Sequence, residues 1–216
     1  MKAIIIGATG LIGKALVNQL LIDKDCVEII VISRKAVQTD SKKIKQVLVN
    51  FDKIEKHKNE IVGDVLFSTL GTTLKTAGSK EKQYTIDYHY QFNTAKLAHD
   101  NGVKKLVLLS SAGANAKSRI FYSKMKGELD DAVQALNFEN CTIIRPSMLV
   151  GKREEFRLAE KLFTPVMYIL YIIPFLRKYR PIKDFTVAKA MINAAKNQTE
   201  KFAIAELNQV FDLAKN

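Results

Sequence analysis

Along the first two thirds of the chain, short apolar runs alternate with longer segments whose apolar residues recur every three or four positions. Runs at Lys2–Ile6 and at 27–32, 46–50, 64–68, 104–109 and 141–145 are rich in Ile, Val and Leu and bounded by turn residues. They are too short for helices, and the pattern predicts six β-strands. Leu11–Ile22 and residues 85–101 and 122–136 carry the helical period, the second closing on Asn101-Gly102, a pair that suits a helix stop. Strands separated by helices of this length cross over right-handedly into a parallel sheet covered on both faces. The expected fold is doubly wound α/β.

After about Gly151 the alternation stops. A Lys/Arg/Glu-rich helix at 154–163, an apolar stretch at 162–176 holding Pro165 and Pro174, and an amphipathic helix at 185–195 are expected there. No Gly/Ser linker sets this region apart, so residues 151–216 are expected as a small C-terminal helical cap on a single domain spanning 1–216. The apolar stretch is shorter than the ~20 residues that span a bilayer. Packing of a cap helix is the commonest use of such a run. A hinged lid over a hydrophobic substrate ranks next, because two prolines suit a hinge. A dimer surface, or a peripheral membrane contact with Arg177-Lys178-Tyr179-Arg180 facing anionic lipid, is the remaining use.

Composition narrows the function classes. At 47% hydrophobic and 26% charged residues the chain can bury a core and is not a disordered one. The formal charge of +12 arises from lysines interleaved with Asp and Glu, without a stripe of stacking aromatics. Nucleic acid is therefore disfavoured as a partner, whereas a polyanionic cofactor is favoured. Cys26 and Cys141 sit in apolar runs and make no disulfide framework, which points to a reducing compartment, expected to be the cytoplasm. His57, His89 and His99 are scattered, and with neither CxxC nor HExxH no metal site is expected. The opening MKAIIIGATG is too short in its apolar part, and too broken by glycine, for a secretory signal.

The first predicted strand runs into Gly7-Ala8-Thr9-Gly10-Leu11-Ile12-Gly13 and then into a helix. Glycines at this spacing permit a tight turn, the approach of a pyrophosphate to the backbone, and close packing of helix on strand. The helix N-terminus then offers unpaired N–H groups and a positive dipole end to the phosphates. A Walker A loop is excluded because Lys14 precedes Ala15 rather than Ser or Thr. The expected cofactor contacts here are Gly7, Thr9, Gly10, Leu11, Ile12 and Gly13. An acidic residue that would accept ribose hydroxyls of NAD is missing after the second strand, which ends Ser33-Arg34-Lys35. A hydroxyl, a guanidinium and an ammonium suit a 2′-phosphate, so NADP is preferred over NAD. Asp52, after the third strand, is placed to meet the adenine amino group and suits an exposed turn equally well.

The fifth strand ends in Ser110-Ser111, and a helix opens with Phe121-Tyr122-Ser123-Lys124-Met125-Lys126. Residues four apart share a helix face, so Tyr122 and Lys126 point together toward the carboxyl edge of the sheet. An ammonium beside a phenol lowers the phenol's pKa and can also hold a ribose, leaving the phenol to donate or accept a proton. A serine hydroxyl at the adjacent strand end can orient a substrate oxygen.

Taken with residues 67–73, 108–114, 122–127 and Arg145-Pro146, these motifs resemble the short-chain dehydrogenase/reductase superfamily over essentially the whole chain. The GATGLIG loop is similar to those of its extended and atypical branches. The further segments look like the atypical subgroup that contains the animal Tat-interacting oxidoreductase-like protein and its bacterial relatives. The resemblance implies a Rossmann fold and a Ser/Tyr/Lys triad carried by Ser111, Tyr122 and Lys126, with Ser110 the alternative serine. It further implies that Leu70, Gly71 and Thr72 lie beside the cofactor and that Pro146 to Met148 lie near the nicotinamide. One departure is Asp87, which stands where many relatives carry a catalytic helix Asn. The implied activity is NADP-dependent oxidoreduction of a small-molecule carbonyl or alcohol by a monomer or homodimer. Several members of the subgroup act instead as redox sensors or scaffolds, which keeps that alternative open.

Overall fold

The structure, a computed structural model, describes residues 1–151 and 174–215. Its strands, among those residues, are β1 (Lys2–Ile6), β2 (Glu28–Ser33), β3 (Ile44–Leu48), β4 (Val65–Ser68), β5 (Lys105–Leu109), β6 (Asn140–Arg145), β7 (Leu149–Val150), β8 (Ile182–Lys183) and β9 (Phe202–Glu206). The helices are α1 (Leu11–Ile22), α2 (Leu74–Ala77), α3 (Lys80–Tyr84), α4 (Tyr90–Asp100), α5 (Phe121–Ala135), α6 (Asp184–Asn197) and α7 (Asn208–Leu213). A kinked 3-10 segment covers Phe51–Glu60, and a π turn, Thr85–His89, joins α3 to α4.

Seven strands pair in the order β3-β2-β1-β4-β5-β6-β9, and every pairing is parallel. The doubly wound architecture expected from the alternation is the one observed, and it is the Rossmann fold that the resemblance implies. Side chains alternate across the sheet, so Ala3 and Ile5 join a core with Leu16, Leu20, Val187 and Met191, and Ile4 and Ile6 join a second core with Leu129 and Phe138. Both faces are dry, which is why these strands read as unbroken Ile and Val runs. The chain winds outward from β1 in both directions, so a crevice opens beyond the carboxyl ends of β1 and β4. These two strands are aligned there, with Ile6 opposite Ser68.

Departures from the expected elements lie mainly at the sheet edges. β3 starts at Ile44 rather than 46, because an edge strand shows Lys45, Gln46 and Leu48 to solvent and only Val47 is fully buried. The region after Gly151 supplies more than helices. Phe202–Glu206 pairs with β6 from Cys141↔Phe202 to Arg145↔Glu206, and α6 packs its Val187–Met191 face in the same core as α1. The strand was hidden by its alanines, which carry little β signal. The π turn begins within the predicted 85–101 helix, and the helical rise starts five residues earlier, at Lys80. The expected helix at 154–163 lies outside the described residues, as does the apolar stretch at 162–176 apart from the backbone of 174–176.

Candidate functional site

At the end of β1 the chain turns on Gly7, whose φ of +82° lies in the left-handed region. A Cβ on Gly7 would sit 2.5 Å from the backbone of Thr69 and Leu70, so the turn lies directly against the loop that leaves β4. Thr69 closes that contact by donating both its amide (3.0 Å) and its hydroxyl (2.8 Å) to the carbonyl of Ile6. Gly10 caps α1 without a side-chain hydrogen bond, and a Cβ on Gly13 would meet the Gly7 carbonyl oxygen at 2.1 Å. The turn and the N-terminus of α1 are thus drawn together with no Cβ at their two closest approaches, Gly7 and Gly13. This cradle fits a diphosphate, which needs close approach to amides at a helix N-terminus.

The residues expected on the adenosine side lie at the ends of β2 and β3. Ser33 is buried, and its hydroxyl donates to the Lys35 carbonyl at 2.6 Å, whereas Arg34 and Lys35 are exposed. Asn50 accepts the Asp52 amide at 3.0 Å and so starts the 3-10 segment. Asp52 in turn accepts the Tyr90 hydroxyl at 2.7 Å, and the Tyr90 ring stacks on Phe51 with 5.2 Å between centroids. Burial, together with the Asp52 carboxylate, pushes the Tyr90 phenol up to about 12 despite the nearby Arg34. Tyr90 thus stays a donor that orients Asp52.

The expected Tyr and Lys of the triad stand on α5. Tyr122 is half exposed at its first turn, and one turn further Lys126 is only 3% exposed. The Lys126 ammonium lies 3.5 Å from Asp87 on the π turn. Burial alone would lower its pKa, but the surrounding Tyr122, Asp87 and Asp130 outweigh that and raise it, so Lys126 remains an ammonium. The loop after β5 folds back on the same turn of α5, where Ser123 donates to the Gly113 carbonyl and accepts the Asn115 amide through its own carbonyl. Ala112 donates its amide to Pro146 at 3.1 Å, joining this loop to the end of β6. Met148 follows, and its carbonyl accepts the Ile182 amide at the start of the β7–β8 pair. The serine doublet is divided. Ser110 is buried and donates to Asp130 at 2.9 Å, while Ser111 is half-buried with only a long 3.5 Å contact to the Ala112 carbonyl.

Two groups here were not singled out from the sequence. Asp130 accepts Ser110 and two nitrogens of Arg145, each at 2.9 Å, and burial raises its pKa against those partners. Its position could have been read from spacing, since Tyr122, Lys126 and Asp130 recur at every fourth residue of α5. Tyr90 gave no such signal. Among the described residues, no group of His, Cys, Asp and Glu is arranged to hold a metal. What the site offers chemically is an amide cradle for phosphates, an exposed phenol beside a fixed ammonium, and an uncommitted hydroxyl.

Comparison with known proteins is consistent with that inventory. A family model described as NAD(P)H-binding matches residues 7–162. Protein FMP52, mitochondrial, of Meyerozyma guilliermondii is 38% identical over 201 residues, covering 90% of this chain and 85% of its own. Protein FMP52-1, mitochondrial, of Scheffersomyces stipitis is 33% identical over 207 residues, covering 93% and 91%. Among solved structures, MoeE5 in complex with UDP-glucose and NAD superposes with a TM-score of 0.70 at 13% identity, covering 99% of this chain and 81% of that one. A short chain dehydrogenase family protein from Francisella tularensis superposes at 0.66 with 14% identity, covering 94% and 95%. These two establish the fold alone. The relatives' names overturn the expected cytoplasmic placement, because FMP52 and FMP52-1 are named mitochondrial proteins. Two buried free thiols exclude a disulfide scaffold but do not distinguish one reducing compartment from another.

Proposed function

The chain belongs to the NAD(P)H-binding family, and from that premise we propose that it is an NADP-dependent oxidoreductase of the atypical short-chain dehydrogenase/reductase kind, acting on a carbonyl or alcohol. The finer likeness to the subgroup of the animal Tat-interacting oxidoreductase-like protein is part of this reading. The observation that carries it is the pairing on one helix face of a half-exposed phenol, Tyr122, with the buried ammonium of Lys126.

The bound nicotinamide supplies the hydride chemistry. Gly7 to Gly13 hold the diphosphate through backbone amides, and Arg34 with Lys35 grip a 2′-phosphate. Asp52, oriented by Tyr90, accepts from the adenine amino group. Leu70 to Thr72 and Pro146 to Met148 flank the nicotinamide half. Lys126 donates to the ribose hydroxyls and holds positive charge beside the Tyr122 oxygen. Tyr122 moves the proton to or from the substrate oxygen, and Ser111 donates a hydrogen bond that polarises it. Ser110 has no part in this because Asp130 holds it.

The experiment is a calorimetric titration with NADPH and NADH, followed by NADPH oxidation against aldehydes, ketones and quinones, with Tyr122→Phe as control. Tighter NADPH binding, and turnover that the variant abolishes, is the expected result. Binding without turnover against the whole panel sinks the enzyme and leaves an NADPH-sensing regulator.

A further inference from the structure

Asp87 is 1% exposed, and two of its contacts belong to different parts of the crevice. Its Oδ2 accepts the Thr72 amide at 2.8 Å, and its Oδ1 lies 3.5 Å from the Lys126 ammonium. Thr72 is held from its other side as well, since its carbonyl accepts the Gln83 side-chain amide at 3.2 Å. The backbone of Asp87 is fixed in turn: its carbonyl accepts Gln91 at 2.6 Å, and Gln91 accepts the hydroxyl of Ser68, the last residue of β4, at 2.7 Å. The residue sits within the π turn Thr85–His89, a local irregularity of the kind that re-aims side chains at functional sites.

We propose that Asp87 is a positioning residue that latches the loop between β4 and α2 to Lys126, so that the nicotinamide half of a dinucleotide meets both in fixed register. The inference rests on the dinucleotide reading above and adds the residue that sets the geometry of that half. A carboxylate is the group that the two contacts require. One oxygen faces an N–H donor and the other an ammonium, so both positions call for an acceptor, and the negative charge compensates the buried cation. An asparagine would turn its NH2 toward one of the two donors. The Gly7 turn abuts the same loop at Thr69 and Leu70, so the latch lies within one rigid stretch of backbone from the phosphate cradle.

The test compares wild type, Asp87→Ala and Asp87→Asn by three measurements: hydrogen exchange at the Thr72 amide, calorimetric affinity for NADPH, and calorimetric affinity for adenosine 2′,5′-bisphosphate, which lacks the nicotinamide half. Asp87→Ala is expected to speed Thr72 exchange about tenfold or more and to weaken NADPH about tenfold, with the bisphosphate changed by less than about twofold. Asp87→Asn is expected to weaken NADPH to a similar degree while sparing the bisphosphate, and it decides the matter should the alanine variant not fold. A folded variant with unchanged Thr72 protection and unchanged NADPH affinity overturns the latch. Equal weakening of both ligands also overturns it, since that marks a merely structural role. Should wild type bind neither ligand, the dinucleotide reading falls, and the Thr72 exchange rates still decide whether Asp87 holds the loop.

Discussion

Ser110 donates its hydroxyl to Asp130 at 2.9 Å, and that bond ties the first serine of the Ser110-Ser111 doublet to the scaffold. The same Asp130 oxygen takes both the Nε and a terminal nitrogen of Arg145, so strand β5, helix α5 and strand β6 meet at one buried carboxylate. Its other oxygen, Oδ1, is buried without a hydrogen-bond partner among the described residues. A carboxylate so placed depends on each donor it has. Ser110 is thereby committed, and Ser111 is the hydroxyl left at the rim.

Replacing each serine by alanine separates the two roles. Ser110→Ala takes a donor from a buried carboxylate and is expected to lower stability by about 1–3 kcal/mol in urea denaturation. Its turnover per folded molecule is expected to stay within about threefold of wild type, whereas Ser111→Ala is expected to lose roughly 10²–10³ in kcat at unchanged stability. The opposite pattern would assign the chemistry to Ser110.

The glycine turn allows a test that does not depend on substrate. A methyl group on Gly13 would lie 2.1 Å from the Gly7 carbonyl oxygen, so Gly13→Ala can fold only if α1 shifts away from the turn. Overpacking of this kind costs about 1–3 kcal/mol, to be read as a lowered melting temperature. The shift also moves the amides of the cradle, and NADPH affinity by calorimetry is expected to fall by about tenfold or more. Unchanged affinity in a folded Gly13→Ala protein would show that the cofactor does not sit on this turn.

The alternation of strands with helices and the glycine turn were legible because they rest on local rules. Unbroken runs such as Ile4 to Ile6 report burial on both faces, and Gly7 and Gly13 are required by backbone approach. Edge strands were harder, since β3 shows lysine and glutamine to solvent and β9 is largely alanine. The Tyr122–Lys126 pair followed from helix periodicity, and Asp130 lay within reach of the same rule. The partners of Asp87, Asp52 and Ser110 were not legible, because Thr72, Tyr90 and Asp130 come from 15, 38 and 20 positions away and meet them only through the fold. Sequence spacing predicts neighbours on one element and carries little information about which side chains two elements bring together.

The contact between α1 and α6 depends on pH in a direction that the charges fix. Lys196 on α6 lies 2.8 Å from Asp23 and 2.6 Å from Asp25, just past the end of α1. For Asp23, burial raises the pKa, but Lys196, the Asp25 amide and Lys43 outweigh it and hold the carboxyl below its ordinary 3.8. For Lys196, burial lowers the pKa, but the two carboxylates outweigh it and hold the ammonium above its ordinary 10.5. The stabilisation from Asp23 is thus present above 3.8 and lost as pH falls through its folded value. That from Lys196 is present below 10.5 and lost as pH rises through its folded value. Lys196→Met is expected to cost about 0.5–1 kcal/mol in urea denaturation at pH 7, a partly exposed pair being worth little more. The difference from wild type is expected to shrink in acid below 3.8, and a gap that stays constant there would place the effect in packing rather than charge.

The proposed preference for NADPH is tested at the end of β2. Because the Ser33 hydroxyl is taken by the Lys35 carbonyl, any selection for a 2′-phosphate falls to the exposed side chains of Arg34 and Lys35. Charge-assisted hydrogen bonds to a phosphate are worth about 1.5–3 kcal/mol each, and exposure to solvent puts these two at or below the lower end. Arg34→Ala/Lys35→Ala is therefore expected to weaken NADPH by about 10–100-fold and NADH by less than about threefold, with the two affinities converging. Added salt should weaken NADPH more steeply in wild type than in the double variant, since screening acts on the charges that the variant lacks. If both coenzymes weaken equally, Arg34 and Lys35 read the diphosphate or the general field of a basic surface, and selection for a 2′-phosphate must come from elsewhere in the crevice.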